Sequence, residues 1–137
     1  MAEHELKSQQ LIDYGCGSGI LALAAVKLGA EPVYAVDIDP QALAACESNA
    51  RNNHLLDRLL VSAPDDVDLP AADVLIANIL LNPLVQLAPD FAEGVKGKGK
   101  LVLSGILAVQ VEQCLAAYAP WFTMVAPVFR NEWALLE

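Results

Sequence analysis

Residues 11–25 read LIDYGCGSGILALAA. A short apolar run, LIDY, stops at Gly15. Glycine recurs at Gly17 and Gly19, and a second apolar run, ILALAA, begins at once. A brief apolar run bounded by glycine reads as a buried strand, and a run rich in Ala and Leu reads as a helix. A strand joined to a helix through so bare a loop is the opening of a parallel α/β sheet. The helix is expected over 18–28, with Gly29 just past its end as the stop signal.

The same alternation continues outward from this stretch. The first strand is QQLIDY (9–14) and the second is PVYAVD (32–37). Asp39-Pro40 then supplies a cap and a proline at the first helical position, ahead of a helix over 41–53. A third strand lies within 55–63, an acidic loop follows, and ADVLIANIL (72–80) is the fourth strand. Asn82-Pro83 repeats the cap-and-proline signal and starts a helix to about Glu93. GVKGKGK reads as a connecting turn, since it lacks the Gly-Lys-Ser/Thr ending of a phosphate loop. KLVLSG (100–105) is the fifth strand and 106–119 a helix. Strands over 121–129 and 132–137 close the chain through a tight turn at Arg130-Asn131. That last pair leaves no room for a crossover and must be antiparallel. The expected fold is α/β: a seven-stranded, mostly parallel sheet with an antiparallel C-terminal hairpin and helices on both faces.

Composition bounds the function. The 137 residues suit one domain, and with 55% hydrophobic but only 6% aromatic residues the core must be aliphatic. Net charge is −9, from 17 acidic and 8 basic residues, which disfavours direct binding of nucleic acid and is compatible with a lysine-rich partner. Cys16, Cys46 and Cys114 are far apart, odd in number and without metal-ligand spacing. They imply reduced thiols in a cytoplasmic protein, with no metal site. Residues 1–10 form a polar tail that is no signal peptide. No apolar run reaches the ~20 residues needed to span a bilayer, so no membrane association is expected.

In an open parallel sheet, ligands sit beyond the carboxyl ends of the strands. Gly15, Gly17 and Gly19 therefore face a ligand, and the free N–H groups of the next helix favour a negative group on it. The spacing G-x-G-x-G departs from the dinucleotide fingerprint, because Ile20 stands where a third glycine would be. Asp37 ends strand two, 20 residues after Gly17, where an acid binds ribose hydroxyls, and its neighbour Ile38 can pack on an adenine face. Asp39 has the competing job of helix cap. Asn78 closes the apolar fourth strand and faces the same crevice; capping its own turn is the alternative.

Together these stretches resemble the class I S-adenosylmethionine-dependent methyltransferases, and their Rossmann-like fold is then the expected one. DYGCGSGILALAAVKLGA, AVDIDPQALAACESNARNN, DVLIANILLNPLVQLAP and LSGIL are similar to the ribosomal protein L11 methyltransferase (PrmA) family over about Leu11 to Glu137. The resemblance implies an enzyme that N-methylates lysine side chains, the α-amino group, or both, on ribosomal protein L11. It implies that Asp13, Gly15, Cys16, Gly17 and Gly19 surround the methionine part of S-adenosyl-L-methionine. Asp37 would bind its ribose, Ile38 its adenine, and Asn78 with the Ile79 carbonyl would position the substrate amine. The family carries a separate N-terminal recognition domain and a glycine- and threonine-rich segment before the first strand. Neither is in this sequence, so 11–137 is expected to be a catalytic domain without its substrate-recognition domain. The alternatives are an N-methyltransferase of RNA or small amines, and a nucleotide-binding Rossmann module without catalysis.

Overall fold

The computed structural model describes residues 8–66, 69–79, 81–122, 128–130 and 133–136. Among these residues the chain forms one seven-stranded sheet in the order β3-β2-β1-β4-β5-β7-β6. The strands are β1 (Leu11–Tyr14), β2 (Val33–Val36), β3 (Leu59–Ser62), β4 (Ala72–Asn78), β5 (Val95–Leu107), β6 (Val128–Arg130) and β7 (Trp133–Leu136). The first five pair in parallel, and β7 lies antiparallel between β5 and β6. The expected mostly parallel sheet with an antiparallel closing pair is therefore the observed one. The turn expected at Arg130-Asn131 lies partly outside the described residues.

Four helices are described: α1 (Ile20–Lys27), α2 (Pro40–Asn52), α3 (Leu81–Gly94) and α4 (Val111–Tyr118). Helices α1 and α2 cover one face, burying Ala22, Val26 and Cys46 against Val33, Ala35 and Val74. The opposite face is covered by α3 and α4, where Leu84, Phe91 and Tyr118 pack on Ile12, Leu75 and Leu103. Tyr118 is fully buried, and its hydroxyl donates to the Leu84 carbonyl at 2.6 Å, which ties the two helices together.

Local chemistry sets the boundaries. Helix α1 begins at Ile20 rather than Ser18, because Gly19 stands at φ 89° in the left-handed region. It ends as expected at Gly29: the Gly29 N–H donates to Val26 and the Ala30 N–H to Ala25, the paired closure of a Schellman stop. The Asp39 carboxylate accepts from the Gln41 N–H at 2.9 Å and Pro40 opens α2, so Asp39 is the cap. Helix α3 starts at Leu81, ahead of the expected Asn82-Pro83, with Pro83 inside the first turn where no N–H is needed.

Three expectations are corrected. GVKGKGK is not a plain connector: β5 begins at Val95, and the register slips between Val95↔Ala72 and Lys100↔Val74, so the glycines and lysines form an irregularity within the strand. Lys96 pairs there with Asp73 at 3.3 Å. The helix expected from residue 106 begins at Val111, because Ile106 and Leu107 stay in the sheet opposite Ala134 and Trp133. The Gln110 side chain then accepts from the Leu107 N–H at 2.9 Å and turns the chain. Finally, the strand expected over 121–129 is Val128–Arg130 as described, and the Trp121 and Phe122 N–H groups both donate back to Tyr118 as a continuation of the helix end.

One crossover is bare. Between β3 and β4 the described residues form only a short 3-10 turn, Pro64–Asp66. Among the described residues the face of β1 and β2 beside α3 thus has no helix of its own, and Tyr14 and Tyr34 are half-buried. A cavity of about 300 Å³ opens there, lined among others by Ile12, Tyr14, Leu69, Leu87 and Phe91.

Candidate functional site

The sheet reverses its winding between β1 and β4, which are neighbours whose following helices lie on opposite faces. That reversal opens a crevice at the carboxyl ends of the two strands. The loop 15–19 enters it from β1, and Asn78 and Ile79 enter it from β4. The two meet: a side chain at Gly15 would collide with the Ile79 Cγ2 atom and stand 3.9 Å from the Asn78 carbonyl oxygen.

Each loop residue is held by a named partner. The Gly15 and Cys16 N–H groups both donate to the Val36 carbonyl, at 2.7 and 2.9 Å. The Gly17 N–H donates to Asp37 Oδ2 at 3.0 Å, and the Asp39 N–H to Asp37 Oδ1 at 2.9 Å. The Ser18 carbonyl accepts from Asn49 Nδ2 at 2.9 Å. Gly19 rests on α2 so closely that a Cβ there would lie 2.5 Å from the Cys46 sulfur. The result is a chain of left-handed glycines, with φ of 77°, 56° and 89° at Gly15, Gly17 and Gly19. Among the described residues, nothing lies within 4 Å of a Cβ built at Gly17.

Asp13 lies behind this loop rather than in the open crevice. It is 1% exposed, and neither carboxylate oxygen has a hydrogen-bond partner among the described residues. Burial pushes its pKa up to about 7, helped by the charge of Asp37; the nearby Ala22 N–H offsets part of this without meeting hydrogen-bond geometry. The folded chain therefore holds a proton that the unfolded chain, with an ordinary value of 3.8, releases earlier. The stability that goes with this proton is complete below pH ~4 and lost as pH rises to about 7, on the order of 4 kcal/mol in all. An Asp13→Asn variant removes the titration. The stability of the parent minus that of the variant, from urea unfolding, is expected to fall by that amount between pH 4 and 8. Equal pH slopes in the two proteins would refute the buried proton.

The remaining expected residues fall where the crevice opens. Ile38 is 80% exposed, and Asn78 is exposed at the last position of β4. Cys16 and Cys46 pack together under the loop. The Cys16 thiol donates to the Gly17 carbonyl at 3.7 Å, and the Cys46 sulfur beside it, with burial, pushes the Cys16 thiol up. His54 lies beyond the end of α2, and His4 falls outside the described residues. Asn49 and the Val36 carbonyl were not foreseen. Asn49 had one signal in the sequence: asparagine is a poor helix former, and in a helix interior its amide calls for a partner. Among the described residues no group of His, Cys, Asp and Glu could hold a metal ion, and no helix is long and apolar enough to cross a membrane.

The family model described as ribosomal protein L11 methyltransferase (PrmA) matches residues 1–137. A ribosomal protein L11 methyltransferase from Shewanella denitrificans is 48% identical over 133 residues, which is 96% of this chain and 45% of that protein. Another, from a Psychrobacter species, is 46% identical over 131 residues, 90% of this chain and 43% of that protein. The chain thus spans less than half the length of these relatives. Among solved structures, a ribosomal protein L11 methylase from Lactobacillus delbrueckii subsp. bulgaricus superposes with a TM-score of 0.85 at 33% identity, over 96% of this chain and 69% of that one. An RNA methyltransferase from Salinibacter ruber, solved with S-adenosyl-L-homocysteine, superposes at 0.73 with 17% identity, over 96% of this chain and 81% of that one, a likeness of fold alone.

Proposed function

The chain belongs to the ribosomal protein L11 methyltransferase (PrmA) family and has the Rossmann-like class I methyltransferase fold, and from that premise we propose that residues 11–137 form the catalytic domain of an S-adenosylmethionine-dependent protein N-methyltransferase. Its substrates are lysine side chains, the α-amino group, or both, of ribosomal protein L11, in the cytoplasm. The observation that carries this reading is the contact of Gly15 with Ile79, which joins a ligand loop and an amide-bearing strand end in one crevice.

The residues present fit the cofactor. Gly17 opens onto empty space, Asp37 offers a carboxylate beside it, and Ile38 exposes an apolar surface next in sequence. Asp37 would bind the ribose hydroxyls, Ile38 would lie against the adenine, and the loop 15–19, with Asp13 behind it, would enclose the methionine part. When bound, the cofactor supplies a methyl group on a sulfonium. The chain's own work is orientation. A lysine amine, with an ordinary pKa near 10.4, is mostly protonated at neutral pH, and only its neutral form has a lone pair. The Asn78 side-chain oxygen and the Ile79 carbonyl would accept its hydrogens and aim that lone pair, with the proton lost to water.

The test is calorimetric titration with S-adenosylmethionine, followed by transfer of labelled methyl to ribosomal protein L11 by the enzyme. Saturable binding and label in L11 support the reading; label in RNA or small amines alone would reassign the substrate. In that enzyme, Asn78→Ala is expected to keep cofactor affinity within about threefold and to lose at least ~100-fold in turnover. Unchanged turnover would remove Asn78 from the mechanism.

A further inference from the structure

Asn49 stands on α2, 31 positions from Ser18, and no step above uses it. The peptide it holds joins Ser18 to Gly19. Ser18 lies between two left-handed glycines, Gly17 and Gly19, and glycine lets a peptide unit rotate at little cost. The Gly15 and Cys16 N–H groups donate to Val36, and the Gly19 N–H, on the same peptide unit as the Ser18 carbonyl, donates to Cys16 at 2.9 Å, which leaves the carbonyl end of that unit to be fixed. For the Ser18 carbonyl the described contact is the Asn49 amide. Asn49 is itself well placed to hold it. Cys46 lies three residues earlier on α2, hence on the same helix face, and packs directly under Gly19. Two side chains on one face of α2 thus grip two successive loop residues, Ser18 and Gly19.

We propose that Asn49 is a positioning residue for the cofactor loop, fixing the Ser18 peptide from α2 so that the loop holds its ligand-binding shape before any ligand arrives. A loop ordered in advance loses less freedom on binding, and the gain appears as affinity. The ligand's identity rests on the methyltransferase reading; the latch itself does not. The bond is neutral and exposed, and such a hydrogen bond is worth about 2- to 10-fold in an equilibrium constant, which sets the scale of the effect.

The test compares the parent with Asn49→Ala and Asn49→Asp. Aspartate keeps the shape, lacks the donor and sets a negative oxygen against the Ser18 carbonyl. Two readouts are taken: amide hydrogen exchange of the ligand-free proteins, and calorimetric titration with S-adenosylhomocysteine. Exchange at Gly17, Ser18 and Gly19 is expected to quicken in both variants, with α2 and the melting temperature close to the parent's in Asn49→Ala. Affinity is expected to fall about fivefold in Asn49→Ala and further in Asn49→Asp. Loop exchange equal to the parent's would overturn the latch. So would a loss spread along α2 with a matching fall in melting temperature, which marks a merely structural residue. If the parent fails to bind S-adenosylhomocysteine while the exchange effect stays confined to the loop, the methyltransferase reading falls and the latch stands. If the parent binds and both variants bind equally well, the latch falls and the reading stands.

Discussion

Gly15→Ala is expected to abolish saturable binding of S-adenosylmethionine and to lower the free energy of unfolding by about 2–5 kcal/mol. Two effects add. The backbone at φ 77° is left-handed, which costs an L-residue about 1–2 kcal/mol. The new methyl also collides with Ile79, and in a packed contact that forces a shift worth about 1–3 kcal/mol. The shift moves Ile79 and, with it, the Asn78 end of β4. Gly17→Ala is the control, because its φ of 56° carries the backbone cost while its Cβ enters open space. Urea unfolding should therefore rank Gly15→Ala below Gly17→Ala. Equal stabilities would mean that Ile79 yields freely and that the two halves of the crevice are not in register.

Asp37→Ala should weaken cofactor binding by about 100-fold or more while leaving the fold intact. The carboxylate is already engaged through both oxygens, with the Gly17 and Asp39 N–H groups. An ionised carboxylate offers about four acceptor sites, so lone pairs remain for two ribose hydroxyls. Removing it takes away those bonds and unlatches Gly17 from β2 as well. Asp37→Asn retains one acceptor but turns an amide donor toward a backbone N–H, so a loss of about 10-fold is expected. Calorimetry with S-adenosylmethionine reads both. Binding by Asp37→Ala within threefold of the parent would move the ribose site elsewhere.

The glycine loop, the acid after β2, the Asp39 cap and the Gly29 stop were legible because each is a local signal. What the sequence hid was decided by partners far along the chain. Ile106 and Leu107 fit an apolar helix by pattern, yet β7 offers them a ladder, and no local period reports that choice. The glycines of GVKGKGK carry the composition of a turn, which an irregular strand shares. Asp13 read as one more acid beside a ligand loop. Its depth follows from strand alternation, which turns it toward α1 while Ile12 and Tyr14 face α3. Asn49 depends on a contact to Ser18 that no short window contains.

The bare crossover between β3 and β4 also decides where this sheet frays. β3 is four residues long, forms the outer edge and, among the described residues, packs against a helix on one face only. Local opening of native proteins starts where covered surface is least. The Asp37 N–H donates to the Ser62 carbonyl at 3.3 Å, so the last residue of that edge strand also pins the acid of the crevice. Anything bound through Asp37 raises the cost of opening this corner by the mass-action gain of the closed form. A cofactor held by Asp37 would thereby raise the protein's resistance to native-state proteolysis, with the β3 edge as the part that reads it.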